Sequence, residues 1–335
     1  GFYAAAFGCG FLSMLAKPMA LSLPLILLLI DYVQGRRDWL KALIEKVPFF
    51  LYVIFIASLT VKENHDIFLL KGGMVAAALT FVWSFSFYIV KFLWPLDLSP
   101  LYQIPEPISL SNIHFVGAIA VLLGSLCFFM TNLRNRLIVF SSLFFVFSVF
   151  FLLRVNPEQL IVVDLVADRY IYLPSLGFCL LVGYFADRLL NYFRKYNRAL
   201  MNASTGILLI IGIGLGVKSF QQCAIWKDSL TMWGHVIKHA PNMTFAYISR
   251  GTYYDEQSKY DLALKDYSQA IALLPGYVKT YIRRGILHGR MGKYDLAIQD
   301  FTWVIDRRPD DWNAYSNRGN VYKLKKQYPL AIADY

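Results

Sequence analysis

Long apolar runs broken by short charged interludes fill the first two thirds of the chain, and mixed polar sequence with regularly placed aromatics and glycines fills the rest. Runs of the first kind predict membrane-spanning helices, because a bilayer core of about 30 Å takes roughly 20 apolar residues in helical form. The candidate spans are residues 2–15, 18–33, 47–61, 74–93, 113–130, 137–153, 170–187 and 203–217. The first two come from one stretch, residues 2–30, whose single charge is Lys17. As one helix it would be about 44 Å long, too long for the core. Proline suits the first turn of a helix and disfavours helix in the residue before it, so Lys17-Pro18 is the predicted break.

The last third has a period of its own. Gly251, Gly285 and Gly319 are spaced by 34 residues, as are Tyr247, Tyr281 and Tyr315, then Ala263, Ala297 and Ala331, then Tyr267, Phe301 and Tyr335. Pro275 and Pro309 share the period and Pro241 extends it backwards. The pattern resembles the tetratricopeptide repeat, a helix pair that stacks on its neighbours. Small residues are needed where the two helices of a repeat cross closely, aromatics fill the gap between neighbouring repeats, and proline ends the second helix. The predicted repeats are 244–277, 278–311 and a shortened 312–335, with an orphan second helix over 226–241 ahead of them. The fold class is therefore all-α: polytopic membrane helices over residues 1–217, followed by a tetratricopeptide-repeat α-solenoid over 218–335.

Most of the periodic positions are expected to be core. A protein or peptide partner would lie on the concave surface, lined by first-helix residues. The groove candidates are Arg250, Tyr253, Arg284, Asn317, Arg318 and Asn320. A basic groove bearing amides suits an extended peptide or acidic segment.

Composition agrees with the pattern. At 57% hydrophobic and 16% charged residues, with mean hydropathy +0.46, the chain is too apolar for a soluble domain of its length. The net charge of +11 divides evenly, with 16 basic and 11 acidic side chains in residues 1–217 and 17 and 11 in residues 218–335. Neither part has the dense basic stripe of a nucleic-acid binder. Cys9, Cys127, Cys179 and Cys223 show no metal-ligand spacing and no paired framework, so no metal is expected. The apolar opening lacks the basic n-region and cleavage site of a signal peptide. Both ends look cut, the last in the middle of a helical pattern.

Basic loops set the predicted orientation. Arg36, Arg37, Lys41 and Lys46 form one, Arg134 and Arg136 a second, and Arg194, Lys195 and Arg198 a third, each expected on the cytoplasmic side. Three crossings between the first two loops would reverse the side, so either 47–61 or 74–93 is expected to be re-entrant or interfacial. The turn at Lys17, the loop 94–112 and the stretch from Arg154 to Tyr172 then share the outer face. A last span delivers the repeats to that same periplasmic or lumenal side, in a bacterial inner membrane or the endoplasmic reticulum.

Three stretches, "LAKPMALSLPLILLLIDY", "FLWPLDLSPLY" and "ADRYIYLPSLGF", occur in this order, followed by one span and the repeats. Together they resemble the transmembrane and tetratricopeptide repeat O-mannosyltransferase family and its bacterial relatives, in the C-type membrane glycosyltransferase (GT-C) superfamily. The resemblance covers essentially the whole chain. It implies transfer of a sugar from a polyprenyl-phosphate-linked donor to a protein hydroxyl, with the repeats binding the acceptor or a partner. The donor leaves as a phosphate whose charge must be neutralised at the membrane surface, and Lys17 and Arg169 are the candidates for this. Asp168, Tyr170, Tyr172 and Tyr102 would support them. A carboxylate would deprotonate the acceptor hydroxyl. In the family it sits in the first outer loop, which lies N-terminal to this chain, so the catalytic residue is unassigned here and the chain alone is expected to be inactive.

Each candidate also has a structural reading. Lys17 could snorkel to the interface, Asp168-Arg169 could be an ion pair fixing the loop to its helix, and Tyr170, Tyr172 and Trp94 fit an interfacial aromatic belt. The alternative function is a non-enzymatic membrane-anchored scaffold whose repeats dock partner proteins. A transporter of lipid-linked sugar is disfavoured, since no paired broken helices with matching halves are found.

Overall fold

The computed structural model describes residues 22–63, 73–96, 98–150, 166–167 and 171–335. Every regular element among them is helical, and they fall into two compact units, Gly1–Lys218 and Ser219–Tyr335.

The first unit contains α1 (Leu23–Val33), α2 (Trp39–Glu63), α3 (Gly73–Leu93), α4 (Ile113–Thr131), α5 (Arg136–Phe150), α6 (Tyr172–Tyr196) and all but the last turn of α7 (Arg198–Cys223). Four of its helical stretches, Met74–Leu93, Ile113–Thr131, Tyr172–Tyr196 and Arg198–Trp226, are long and apolar enough to cross a membrane. Helix α1 packs on α2 and α5, α3 packs on α4, and α5 packs on α6. Helix α6 approaches α5 closely at Gly177, where a Cβ would stand 2.6 Å from the Ser141 carbonyl oxygen. No larger residue fits there without moving backbone. Tyr88, Phe115, Phe145, Val149 and Val166 form the buried centre of the unit.

The helix bounds correct several sequence expectations. Residues 47–61 are only the later part of α2, which starts at Trp39, runs 25 residues and carries Pro48 inside it. The segment is therefore not a separate short helix. Residues 74–93 coincide with α3, so length separates neither segment from a full crossing. The predicted 203–217 lies inside the longer α7. The first basic loop is also less cationic than a count of Lys and Arg suggests. Arg36 is held bidentately by Glu45 at 2.7 Å, and Lys46, buried in α2, pairs with Asp31. The candidate span 2–15 lies outside the described residues.

The second unit opens with α8 (Ser229–His239), whose first turn is capped by the Asp228 carboxylate accepting from Thr231 N–H at 2.7 Å. Three helix pairs follow: α9 (Thr244–Glu256) with α10 (Tyr260–Leu273), α11 (Val278–Arg290) with α12 (Tyr294–Arg307), and α13 (Trp312–Leu324) with α14 (Tyr328–Asp334). In each pair the periodic glycine lies against the periodic aromatic. A Cβ on Gly251 would meet the Tyr267 ring at 2.9 Å, one on Gly285 the Phe301 ring at 2.8 Å, and one on Gly319 the Tyr335 ring at 3.1 Å. Ala263, Ala297 and Ala331 are buried at the same crossings. The turn between the helices needs a left-handed residue, supplied by Gly292 in the middle pair and by Ser258 and Lys326 in the others.

Candidate functional site

In the first unit the loop after α3 meets the residues that precede Asp168. The Tyr102 amide donates to the Val166 carbonyl at 3.1 Å, and the Ala167 amide donates to the Tyr88 hydroxyl at 3.3 Å. Val166, Ala167 and Tyr88 are buried, so these two bonds satisfy backbone groups that water does not reach. The Ser99 amide donates to the Tyr102 hydroxyl at 2.7 Å, which closes the turn of "LSPLY" on its own tyrosine. Phe87 packs edge-on against the Tyr102 ring with centroids 4.6 Å apart. The end of "FLWPLDLSPLY" is thus hydrogen-bonded to the residue just ahead of "ADRY", and the first residue of "ADRY" to Tyr88 of α3.

A cation stands at this junction. Lys91 ends α3, donates to the Leu96 carbonyl, and lies 5.1 Å from the Tyr102 ring centroid and 5.6 Å from that of Phe87. Sequence reasoning missed both Lys91 and Tyr88. Lys91 carries one available signal, since it is the basic residue of a helix's last turn just before a proline-rich loop. Tyr88 carries none, being one aromatic among many in an apolar run. Tyr172 is 73% exposed and Trp94 67% exposed, so neither ring is packed into the junction. Lys17, Asp168, Arg169 and Tyr170 lie outside the described residues.

In the second unit the three groove arginines have a different setting from the one expected. Arg250 donates through Nε and Nη2 to both oxygens of Asp266 at 2.8 Å, and Arg284 does the same to Asp300 at 3.0 and 2.7 Å. Arg318 repeats it with Asp334 at 2.9 and 2.7 Å. Each guanidinium also lies over one or two tyrosine rings of its own helix. The carboxylate bonds push the Arg250 and Arg318 ionisations further up, against the opposing effect of burial. These arginines tie the two helices of each repeat together, and their charge is spent on buried carboxylates.

The remaining groove candidates are more open. Tyr253 and Asn317 are half-buried and Asn320 is exposed. In the middle repeat, His288 replaces the tyrosine found at the matching positions, Tyr254 and Tyr322. Its ring is 6% exposed, with Nε2 3.9 Å from Asp300 and Nδ1 lacking a hydrogen-bond partner. Burial pushes its pKa down, outweighing the attraction of Asp300. Among the described residues no group of three His, Cys, Asp or Glu side chains is placed to hold a metal ion.

A unit of membrane-length helices joined in sequence to tetratricopeptide repeats defines the class of the protein. The tetratricopeptide repeat family matches residues 282–335. Among curated proteins, the chain is 31% identical over 110 residues to Protein O-mannosyl-transferase Tmtc2 of Drosophila melanogaster, covering 33% of this chain and 11% of that one. It is 29% identical over 112 residues to Protein O-mannosyl-transferase F38B6.6 of Caenorhabditis elegans, covering 33% of this chain and 15% of that one. The resemblance to the transmembrane and tetratricopeptide repeat O-mannosyltransferases thus has matching relatives over a third of the chain. The matched region spans only about a tenth to a seventh of those relatives. Among solved structures, the crystal structure of MamA aligns at 22% identity with a TM-score of 0.31, over 35% of this chain and 68% of that chain.

Proposed function

We propose that the chain is part of a membrane glycosyltransferase that moves a sugar from a polyprenyl-phosphate carrier to a hydroxyl of a protein acceptor. The bond from Tyr102 N–H to the Val166 carbonyl carries this reading, because it brings the loop 94–112 to the residues that lead directly into Asp168-Arg169. The names of the two curated relatives support a protein O-mannosyltransferase, with mannose as the sugar. In this reading Arg169 and Lys17 neutralise the donor phosphate as the sugar departs, and Asp168 orients Arg169. Lys91 lies over the Tyr102 ring, in the loop junction that leads into this stretch of sequence. The acid that deprotonates the acceptor comes from sequence ahead of this chain. The loops and the repeats face the lumenal or periplasmic side, where the repeats hold an acceptor or a partner protein.

The test uses the full-length protein with a polyprenyl-phosphate sugar donor and a Ser- and Thr-containing acceptor. Arg169→Ala should lower turnover by roughly 10²–10³-fold, and Arg169→Lys should restore part of it, since a point charge replaces only some of what a planar guanidinium does. A well-folded Arg169→Ala protein with wild-type transfer overturns the assignment. If the loss is instead one of yield, recovered by neutralising Asp168 as well, the two residues form a structural pair.

A further inference from the structure

The charges at one end of the first unit fall into two groups. Four are spent on one another, Arg36 on Glu45 and Lys46 on Asp31. The rest are exposed, and three separate stretches of sequence bring them together. The turn after α1 lies against the start of α5, where a Cβ on Gly35 would stand 3.2 Å from Arg136 Nη1. Asn135, between Arg134 and Arg136, donates through Nδ2 to the Tyr184 hydroxyl of α6 at 2.6 Å. One turn further along α6, the Arg188 guanidinium lies 5.2 Å from the Tyr184 ring centroid. Arg37, Arg134, Arg136 and Arg188 thus gather at this end, and all four are exposed. Asp38 and Asp187 are exposed beside them, and one Asp38 oxygen already accepts from the Lys41 amide at 3.0 Å. Four arginines beside two carboxylates leave positive charge in excess.

The surroundings say what kind of anion fits. Helices α1, α5 and α6 each carry an exposed apolar side chain on the bilayer side of the nearest arginine: Val33 four residues before Arg37, Leu137 directly after Arg136, and Phe185 three residues before Arg188. Helix α6 is long and apolar enough to cross a membrane. Trp39, exposed at the start of α2 with its ring 6.3 Å from that of Tyr32, is the kind of residue that sits at the level of lipid headgroups. Charge at the end of the unit and hydrocarbon just inside it is the order of a phospholipid. A soluble anion would use the arginines alone. Guanidinium groups suit phosphate because their paired N–H donors match two of its oxygens, which the point charge of an ammonium does not.

We infer that Arg37, Arg134, Arg136 and Arg188 hold the phosphate of an anionic phospholipid whose chains run beside Val33, Leu137 and Phe185. Basic pockets between membrane helices take such headgroups by this combination of charge and adjoining apolar surface. The site lies at the opposite end of α5 from Val149, which packs in the cluster that holds Val166. It is therefore separate from the junction of Tyr102 with Val166, and the inference stands apart from sugar transfer.

The test uses the full chain in detergent micelles, mixed with equal amounts of phosphatidylglycerol and phosphatidylcholine of identical chains, with the retained lipids counted by native mass spectrometry. Phosphatidylglycerol should be retained in preference. Arg136→Gln and Arg188→Gln should each lower that preference by about fivefold, and together by more than either alone. Arg136→Lys should keep part of it. Retention of phosphatidylcholine should be the same in every variant, which reports that the membrane unit is intact. Arg198→Gln, which removes an exposed charge at the start of α7, should leave the preference as it was. Soluble glycerol phosphate in excess should not displace the lipid. Equal retention of the two lipids by the unaltered chain overturns the inference, as does an equal loss from Arg198→Gln and Arg136→Gln, which would mean diffuse charge without a site. Displacement by glycerol phosphate also overturns it, by assigning the arginines to a soluble anion.

Discussion

Replacing Gly285 by Ala puts a methyl carbon 2.8 Å from Cε1 of Phe301, a ring that is itself 1% exposed and has nowhere to retreat. Four residues on, a Cβ at Gly289 would find its nearest neighbour, a Val321 methyl, at an ordinary 3.6 Å. The two glycines share α11, so the gain in helix propensity from Gly to Ala, about 0.5–1 kcal/mol, is common to both. At Gly285 an overpacking cost of about 1–3 kcal/mol opposes it, for a net loss of up to about 2.5 kcal/mol. At Gly289 the propensity gain stands alone. Hydrogen exchange of the full chain in nanodiscs, read on peptides covering α11 and α12, should show faster exchange for Gly285→Ala and equal or slower exchange for Gly289→Ala. The difference should amount to about 5-fold to 100-fold in opening equilibrium, at one decade per 1.4 kcal/mol. Adding Phe301→Leu to Gly285→Ala should recover part of the loss. Equal protection for the two single variants would refute the close crossing on which the repeat register rests.

Three further outcomes follow from the same geometry. Arg284→Met leaves Asp300 buried without its partner and should destabilise the middle repeat by about 3–5 kcal/mol, whereas Arg284→Met with Asp300→Leu should recover most of that, read by the same exchange peptides. Burial holds His288 neutral in the fold, so the unfolded chain binds a proton that the folded repeat refuses. Stability of α11 and α12 is therefore full above the ordinary imidazole value and declines as pH falls through it, a slope that His288→Tyr should abolish once intrinsic exchange rates are corrected for. For topology, Ser258→Cys should react with an impermeant thiol reagent from the lumenal side and Asn197→Cys should not. The reverse pattern would invert the assignment of sides.

The solenoid was legible because its determinants are periodic: a glycine and an aromatic that each recur every 34 residues write the same contact three times in the sequence. The role of the groove arginines was not. Their carboxylates come 16 residues later on the second helix of the same repeat, and although Asp266, Asp300 and Asp334 recur with the same 34-residue period, the reading followed only the apolar and small periodic positions. A first-helix cation was therefore read as available when it was already paired. Helix α2 was read short for a related reason, since Lys41, Glu45 and Lys46 lower the local hydropathy although Lys46 is buried against Asp31. The three membrane motifs could be picked out one by one, yet the bonds that bring Tyr102 to Val166 and Tyr88 to Ala167 run between a backbone group and a partner 64 or more residues away. Sequence shows the motifs, and only folding shows that two of them meet.

The most direct test of the account is transfer itself. Full-length protein, purified and reconstituted, would be incubated with a Ser- and Thr-containing acceptor and either a polyprenyl-phosphate mannose or a nucleotide-activated mannose, and the acceptor read by intact mass. The account predicts a hexose added from the lipid-linked donor and none from the nucleotide sugar. Transfer from the nucleotide sugar, or none from either donor with a folded protein, would contradict it.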